Sequence, residues 1–144
     1  SVSLIDVASR TETARIPVGK APVQVGFLPD GSRAFVSLRD EDAVAVIDLA
    51  ERKVMVRIPV GRGPIQLHAS TDGRYVFVAN QGSKDEPDNR ISVIEVAKGT
   101  VVASIETGTK RPKDLVSVEP RRPVRPIEAR DAPEISDPAP APQA

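Results

Sequence analysis

The chain has 144 residues, with 20 Lys and Arg balanced by 20 Asp and Glu, one His and no Cys or Trp. That length predicts one domain or part of one, and 40% hydrophobic beside 28% charged residues can build a core, so global disorder is excluded. Charge neutrality argues against a nucleic-acid partner, the few aromatics (Phe27, Phe35, Tyr75, Phe77) cannot make a base-stacking platform, and the lack of Cys removes thiolate metal sites, Cys nucleophiles, disulfides and attached c-type haem.

Ser1-Val2-Ser3-Leu4-Ile5-Asp6 has no basic segment and is not a signal peptide; one is presumed already removed. Residues 2–7 and 12–17 read as two strands, and residues 22–28, 33–38, 43–49 and 53–59 as four more. These runs are rich in Val and Ile, whose branched side chains suit a pleated surface, and they are too short for independent helices. Asp30-Gly31 supplies the positive φ of a tight hairpin turn. Residues 43–47 (Ala-Val-Ala-Val-Ile) are apolar on both faces, which predicts a sheet covered on each side.

The next stretch repeats the first. Shifting the chain by 42 residues aligns residues 2–38 with 44–80 without a gap, and sixteen of those 37 positions are identical. Arg15-Ile16-Pro17-Val18-Gly19 returns as Arg57-Ile58-Pro59-Val60-Gly61, Pro22 and Gln24 as Pro64 and Gln66, and Asp30-Gly31 as Asp72-Gly73. A third copy follows at an offset of 47: Ile91-Ser92-Val93-Ile94-Glu95-Val96-Ala97, then residues 101–108. The five extra residues lie within 81–89, where the earlier copy has only 39–42. Four-stranded units of this length, each sheet between neighbours, describe propeller blades.

Residues 64–80, with Pro-x-Gln and then Asp-Gly-Arg-Tyr-Val-Phe-Val-Ala-Asn, followed by Ile-Ser-Val-Ile-Glu-Val and Val-Val-Ala-Ser-Ile-x-x-Gly, resemble the YVTN-type β-propeller repeat. The resemblance covers about residues 2–118, departs at Leu38, which stands where the repeat has Asn, and loses the Ile-Pro-Val-Gly wording in the third copy. It implies an all-β, incomplete β-propeller and a location in the periplasm or outside the cell, typical of that family.

Residues 2–7 and 12–17 match the third and fourth strands of a unit, two full units follow, and Asp114-Leu115-Val116-Ser117-Val118 matches a first strand. Propellers close with about four to eight blades, so completion from outside is expected: by a second copy in a homo-oligomeric ring, by another protein, or by the rest of a longer chain of which this is a cut piece. The candidate inter-chain edges are Val2, Leu4, Leu115, Val116 and Val118. Residues 119–144 hold seven of the 14 prolines and read as an extended linker or strap, whose Arg121, Arg122 and Arg125 are candidates for docking on an acidic partner or for peripheral contact with an anionic membrane. No apolar run approaches the roughly 18 residues of a transmembrane span.

The chemistry is sparse. His68, the single histidine, falls on a first strand, where it would line a propeller channel, but it has no second His or Cys for a metal. Lys84-Asp85-Glu86-Pro87-Asp88-Asn89 gathers three carboxylates without EF-hand spacing; because it breaks the repeat, Lys84, Asp85, Glu86, Asp88 and Asn89 are the candidate recognition loop. No catalytic, metal or cofactor site is expected. The sequence predicts a non-catalytic binding or scaffolding propeller segment that docks onto other chains; the alternative is part of a redox or hydrolytic propeller enzyme of haem d1- or quinoprotein-associated type, with His68 in its channel.

Overall fold

The computed structural model describes residues 1–108. Strands β1 (Val2–Asp6) and β2 (Thr11–Ile16) form a two-stranded sheet, the half blade. A four-stranded sheet follows, built from β3 (Pro22–Phe27), β4 (Arg33–Leu38), β5 (Ala43–Asp48) and β6 (Lys53–Pro59) in chain order. A second has the same order in β7 (Pro64–Ala69), β8 (Tyr75–Asn80), β9 (Arg90–Glu95) and β10 (Thr100–Glu106). Every neighbouring pair is antiparallel, and a 3-10 turn at Arg39–Glu41 joins β4 to β5. Where residues 22–28 were expected as one strand, β3 stops at Phe27. The Leu28 N–H turns to the Arg33 carbonyl (3.0 Å), and the Leu28 carbonyl accepts from Gly31 N–H (2.9 Å), so Leu28 already belongs to the hairpin turn.

The duplication extends to register and irregularities. β5 lies on β4 with Asp48 opposite Arg33, Val46 opposite Phe35 and Val44 opposite Ser37; β9 lies on β8 with Glu95 opposite Tyr75, Val93 opposite Phe77 and Ile91 opposite Ala79. Each outer strand has one bulged residue at the equivalent place, namely Thr13, Met55 and Val102. A bulge increases local twist and bends the outer strand. The hairpins leading into these strands share a left-handed residue, at Arg10 (φ 56°), Arg52 (φ 55°) and Gly99 (φ 64°). Only the third copy places glycine there, the residue for which that conformation carries no steric penalty.

The core consists of two layers between sheets. Ile16, with Val2 and Leu4, packs on Ala34, Val36, Leu38, Ala45 and Ile47 of the first blade. On that blade's other face Phe35, Val44, Val46 and Ile58 meet Leu67, Val76, Val78 and Ile94 of the second. Side chains alternate across a strand, so β5 supplies both layers, and residues 43–47 are all buried. Each buried Val, Leu or Ile contributes about 1.5–3 kcal/mol relative to exposure. The sheet covered on both faces is therefore the physical reason why β5 lacks the polar alternation of a surface strand. Toward the inner strands the blades converge until a Cβ on Gly26 would lie 2.5 Å from Leu67 Cδ1, so any side chain there would have to displace the buried Leu67. No helix among the described residues is long and apolar enough to cross a membrane.

Candidate docking edges and inter-blade joints

The linkers that carry the chain from an outer strand to the next inner strand are built alike. After β2 the Lys20 N–H donates to Glu41 Oε1 (2.6 Å); after β6 the Arg62 N–H donates to Asp88 Oδ2 (2.9 Å). A Cβ on Gly19 would lie 2.8 Å from Leu38 Cδ1, and one on Gly61 would fall onto the Asn80 amide and 2.8 Å from Asp88 Oδ2. The Val-Gly step is therefore a seat for the last residue of a second strand and for one carboxylate. Asn80 fills its seat as a buried polar group, its Nδ2 donating to the Arg90 carbonyl (3.0 Å) and Ser92 Oγ (2.9 Å), while Gly61 N–H also donates to Ser92 Oγ (3.2 Å). Direct stitches join the blades as well. Leu67 N–H donates to Gln24 Oε1 (3.1 Å), Ser37 Oγ donates to the Ile65 carbonyl (2.9 Å), and the Arg57 guanidinium donates to the Val18 carbonyl (2.9 Å).

The inserted loop divides into two halves. Asp88 is buried at 4% exposure and committed: beyond Arg62 N–H it accepts Arg90 N–H (3.0 Å) and both Arg90 Nε and Nη2 (2.9 Å each). Burial alone would raise its pKa. The Arg90 guanidinium, with the backbone N–H groups of Arg62 and Arg90, outweighs this and holds the carboxyl below its ordinary value. Asn89 is half-buried, its main-chain carbonyl accepting Thr107 N–H (2.8 Å) and Thr107 Oγ1 (2.7 Å) and so fixing the exit from β10. Of these two candidate recognition residues, Asp88 thus braces the joint between the blades and Asn89 the end of β10. Lys84, Asp85 and Glu86 are exposed, with Glu86 Oε2 2.6 Å from Arg62 Nη1. Arg39, Asp40, Asp42 and Arg62 face Lys84 and Glu86 across a shallow cleft of about 440 Å³ between the two blades.

His68 is exposed on β7, at the position Gly26 holds on β3, and lines a cleft of about 370 Å³ with Gln24, Phe27, Leu67 and Ser70. Among the described residues no three His, Asp or Glu are placed to hold a metal ion. At the start of the arc β1 pairs only with β2, so among the described residues its inner edge lacks the neighbour that β5 has in β4 and β9 has in β8. Val2 and Leu4 lie on this edge strand, their side chains packed into the layer against the first blade, and the apolar side chains left open there are Ile5 (57% exposed) and Val7 (85%). The edge itself is thus main chain. Leu115, Val116, Val118, Arg121, Arg122 and Arg125 lie outside the described residues.

No protein-family model and no curated protein matches the chain. Hydrazine synthase of Kuenenia stuttgartiensis superposes with a TM-score of 0.73 at 28% identity, over 76% of this chain and 30% of that one. A dihydro-heme d1 dehydrogenase, NirN in complex with DHE, does so with a TM-score of 0.61 at 26% identity, over 72% of this chain and 21% of that one. The Cps50 (Swd1) β-propeller domain of Myceliophteria thermophila gives 0.53 at 18% identity, over 62% and 26% of the two chains, a likeness of fold alone. The chain therefore spans less than a third of the length of each of these structures. Its repeated four-stranded antiparallel sheets are those of an all-β, incomplete β-propeller.

Proposed function

We propose that this chain is a non-catalytic propeller segment of the YVTN-type repeat class, working in the periplasm or outside the cell as a scaffold that docks onto other protein. The observation that carries the reading is the inner edge of β1, which has no ladder partner among the described residues. Unpaired strand edges are templates for pairing, and the two complete blades specify what fits this one. A strand resembling β4 and β8 would set Arg or Tyr opposite Asp6, Ala or Val opposite Ile5, Phe opposite Leu4, and Ser or Ala opposite Val2, by the register common to both blades. The insert residues Lys84, Asp85 and Glu86, beside Arg39 and Arg62, offer a polar surface for contacts on the linker face. The test is the mass of the native assembly with every chain in it identified. A discrete complex in which another strand lies on β1 is expected; a folded, monodisperse 15.4 kDa monomer of these 144 residues would refute the reading.

A second reading is favoured by the likeness to two enzymes, hydrazine synthase and the dihydro-heme d1 dehydrogenase. In it the cleft of His68 and Phe27 belongs to a channel that holds a cofactor or substrate, and the segment is part of a redox propeller. Visible absorbance of the native assembly that disappears in His68→Ala would favour this reading over the first.

A further inference from the structure

The outer strands differ in one respect that the repeat does not explain. Edge strands are ordinarily blunted by charges or proline. β2 carries Glu12 and Arg15 within it, and β6 carries Lys53, Arg57 and Pro59. β10 runs Thr100-Val101-Val102-Ala103-Ser104-Ile105 without a charge, and Glu106 comes only at its end. Val102 (44% exposed) and Ile105 (49%) stand open on it. β10 is the last strand of its sheet, so among the described residues its outer edge has no ladder partner. The uncharged run is flanked by opposite signs, Lys98 before it and Glu106 after it. Lys98 pairs with Glu95 (2.8 Å), and an ammonium with three donors has room for a second carboxylate.

We propose that β10 is a homotypic interface, pairing antiparallel with β10 of a second copy about a two-fold axis near Val102. A two-fold contact must be self-complementary, and this strand is. Centred on Val102, it sets Thr100 of each copy opposite Ser104 of the other and brings Lys98, in the hairpin turn just before β10, toward Glu106 of the other copy, so an ion pair can close each end while the uncharged middle meets itself. Neither β2 nor β6 has this symmetry: the same operation at Thr13 would oppose Glu12 to Ala14, and at Met55 it would oppose Lys53 to Arg57, two like charges. The bulge at Val102 is shared by all three outer strands and does not separate them. The β10 pairing joins two four-stranded sheets into one of eight strands and leaves the β1 edge untouched, so it is independent of the docking proposed above.

The test is sedimentation of the full 144-residue chain across concentration. A monomer–dimer equilibrium is expected. Val102→Lys, at an exposed position, abolishes it, and Ile5→Lys at the β1 edge leaves it unchanged. Lys98→Glu and Glu106→Lys each weaken the dimer by several-fold to about tenfold, and the double swap restores it. The chain has no native Cys, so Val102→Cys supplies a single thiol that should cross-link two copies on mild oxidation, whereas Met55→Cys should not. A monomer up to about 1 mM, a dimer lost in Ile5→Lys rather than Val102→Lys, or equal cross-linking from both thiols would each overturn the proposal.

Discussion

Replacing Asp88 by Ala isolates the joint between the two full blades. The carboxylate accepts four hydrogen bonds, from Arg62 N–H, Arg90 N–H, and Arg90 Nε and Nη2, at 2.9–3.0 Å. Its side chain is 2% exposed, whereas Arg90 is 45% exposed, so the freed guanidinium rehydrates and contributes little to the loss. The cost resides in the two backbone N–H groups left facing a cavity, each about 1–3 kcal/mol when unpaired. Water entering from the adjacent cleft recovers part of that, giving a net loss of about 2–4 kcal/mol. For a domain of this size that lowers Tm by roughly 10–20 °C. The pH dependence carries its own signature. The folded-state pKa of Asp88 is depressed, so its contribution is fully present above the unfolded value of about 3.9 and is lost as pH falls through the folded one. The stability gap between wild type and Asp88→Ala, followed by urea denaturation with circular dichroism, should therefore be widest near neutrality and narrow from pH of about 4 downward. A variant within about 0.5 kcal/mol of wild type at pH 7, or a gap indifferent to acid, would show that Asp88 does not clamp the linker.

Three further outcomes follow from the packing. Gly61→Ala drives a methyl onto the Asn80 amide and should cost about 1–3 kcal/mol, part of it regained with Asn80→Ala, as thermal melts of the single and double variants would measure. Val46→Asp places a carboxylate in the layer between the blades and should cost about 3–5 kcal/mol in denaturant unfolding; a wild-type midpoint would mean that β5 is misassigned. Arg52→Gly relieves a left-handed residue exposed on a hairpin and should raise stability by about 0.5–1 kcal/mol, whereas unchanged or lower stability would show that its backbone carries no strain.

The repeat made most of the architecture legible. The 42-residue shift located β1 to β8, and the doubly apolar run at residues 43–47 foretold a sheet buried on both faces. What stayed hidden depends on contacts between units. Read as an interruption, residues 84–89 looked like a recognition loop. Aligning the third copy at its offset of 47 would have set Asp88 on Glu41, and the shared carboxylate is what grips the linker in both joints. The insertion therefore lies ahead of a contact geometry repeated within this chain, and Lys84, Asp85 and Glu86 form its exposed part. Val2 and Leu4 were placed at an edge because residues 2–7 match the third strand of a unit whose first two strands are absent. A strand has faces as well as edges, and their side chains belong to a face that the first blade covers. The bulges at Thr13, Met55 and Val102 left no mark in the sequence, since the bulged residue shares neither size nor polarity among the copies.

The central claim is that β1 is a receiving edge whose neighbouring strand lies outside the described residues. Amide hydrogen exchange read along β1 and β5, in the isolated chain and in the native assembly, tests it most directly. β5 amides should be protected in both states, and the amides on the inner edge of β1 should exchange fast in the isolated chain and slowly in the assembly. Slow exchange across the whole of β1 in the isolated monomer, or no change on assembly, would contradict the account.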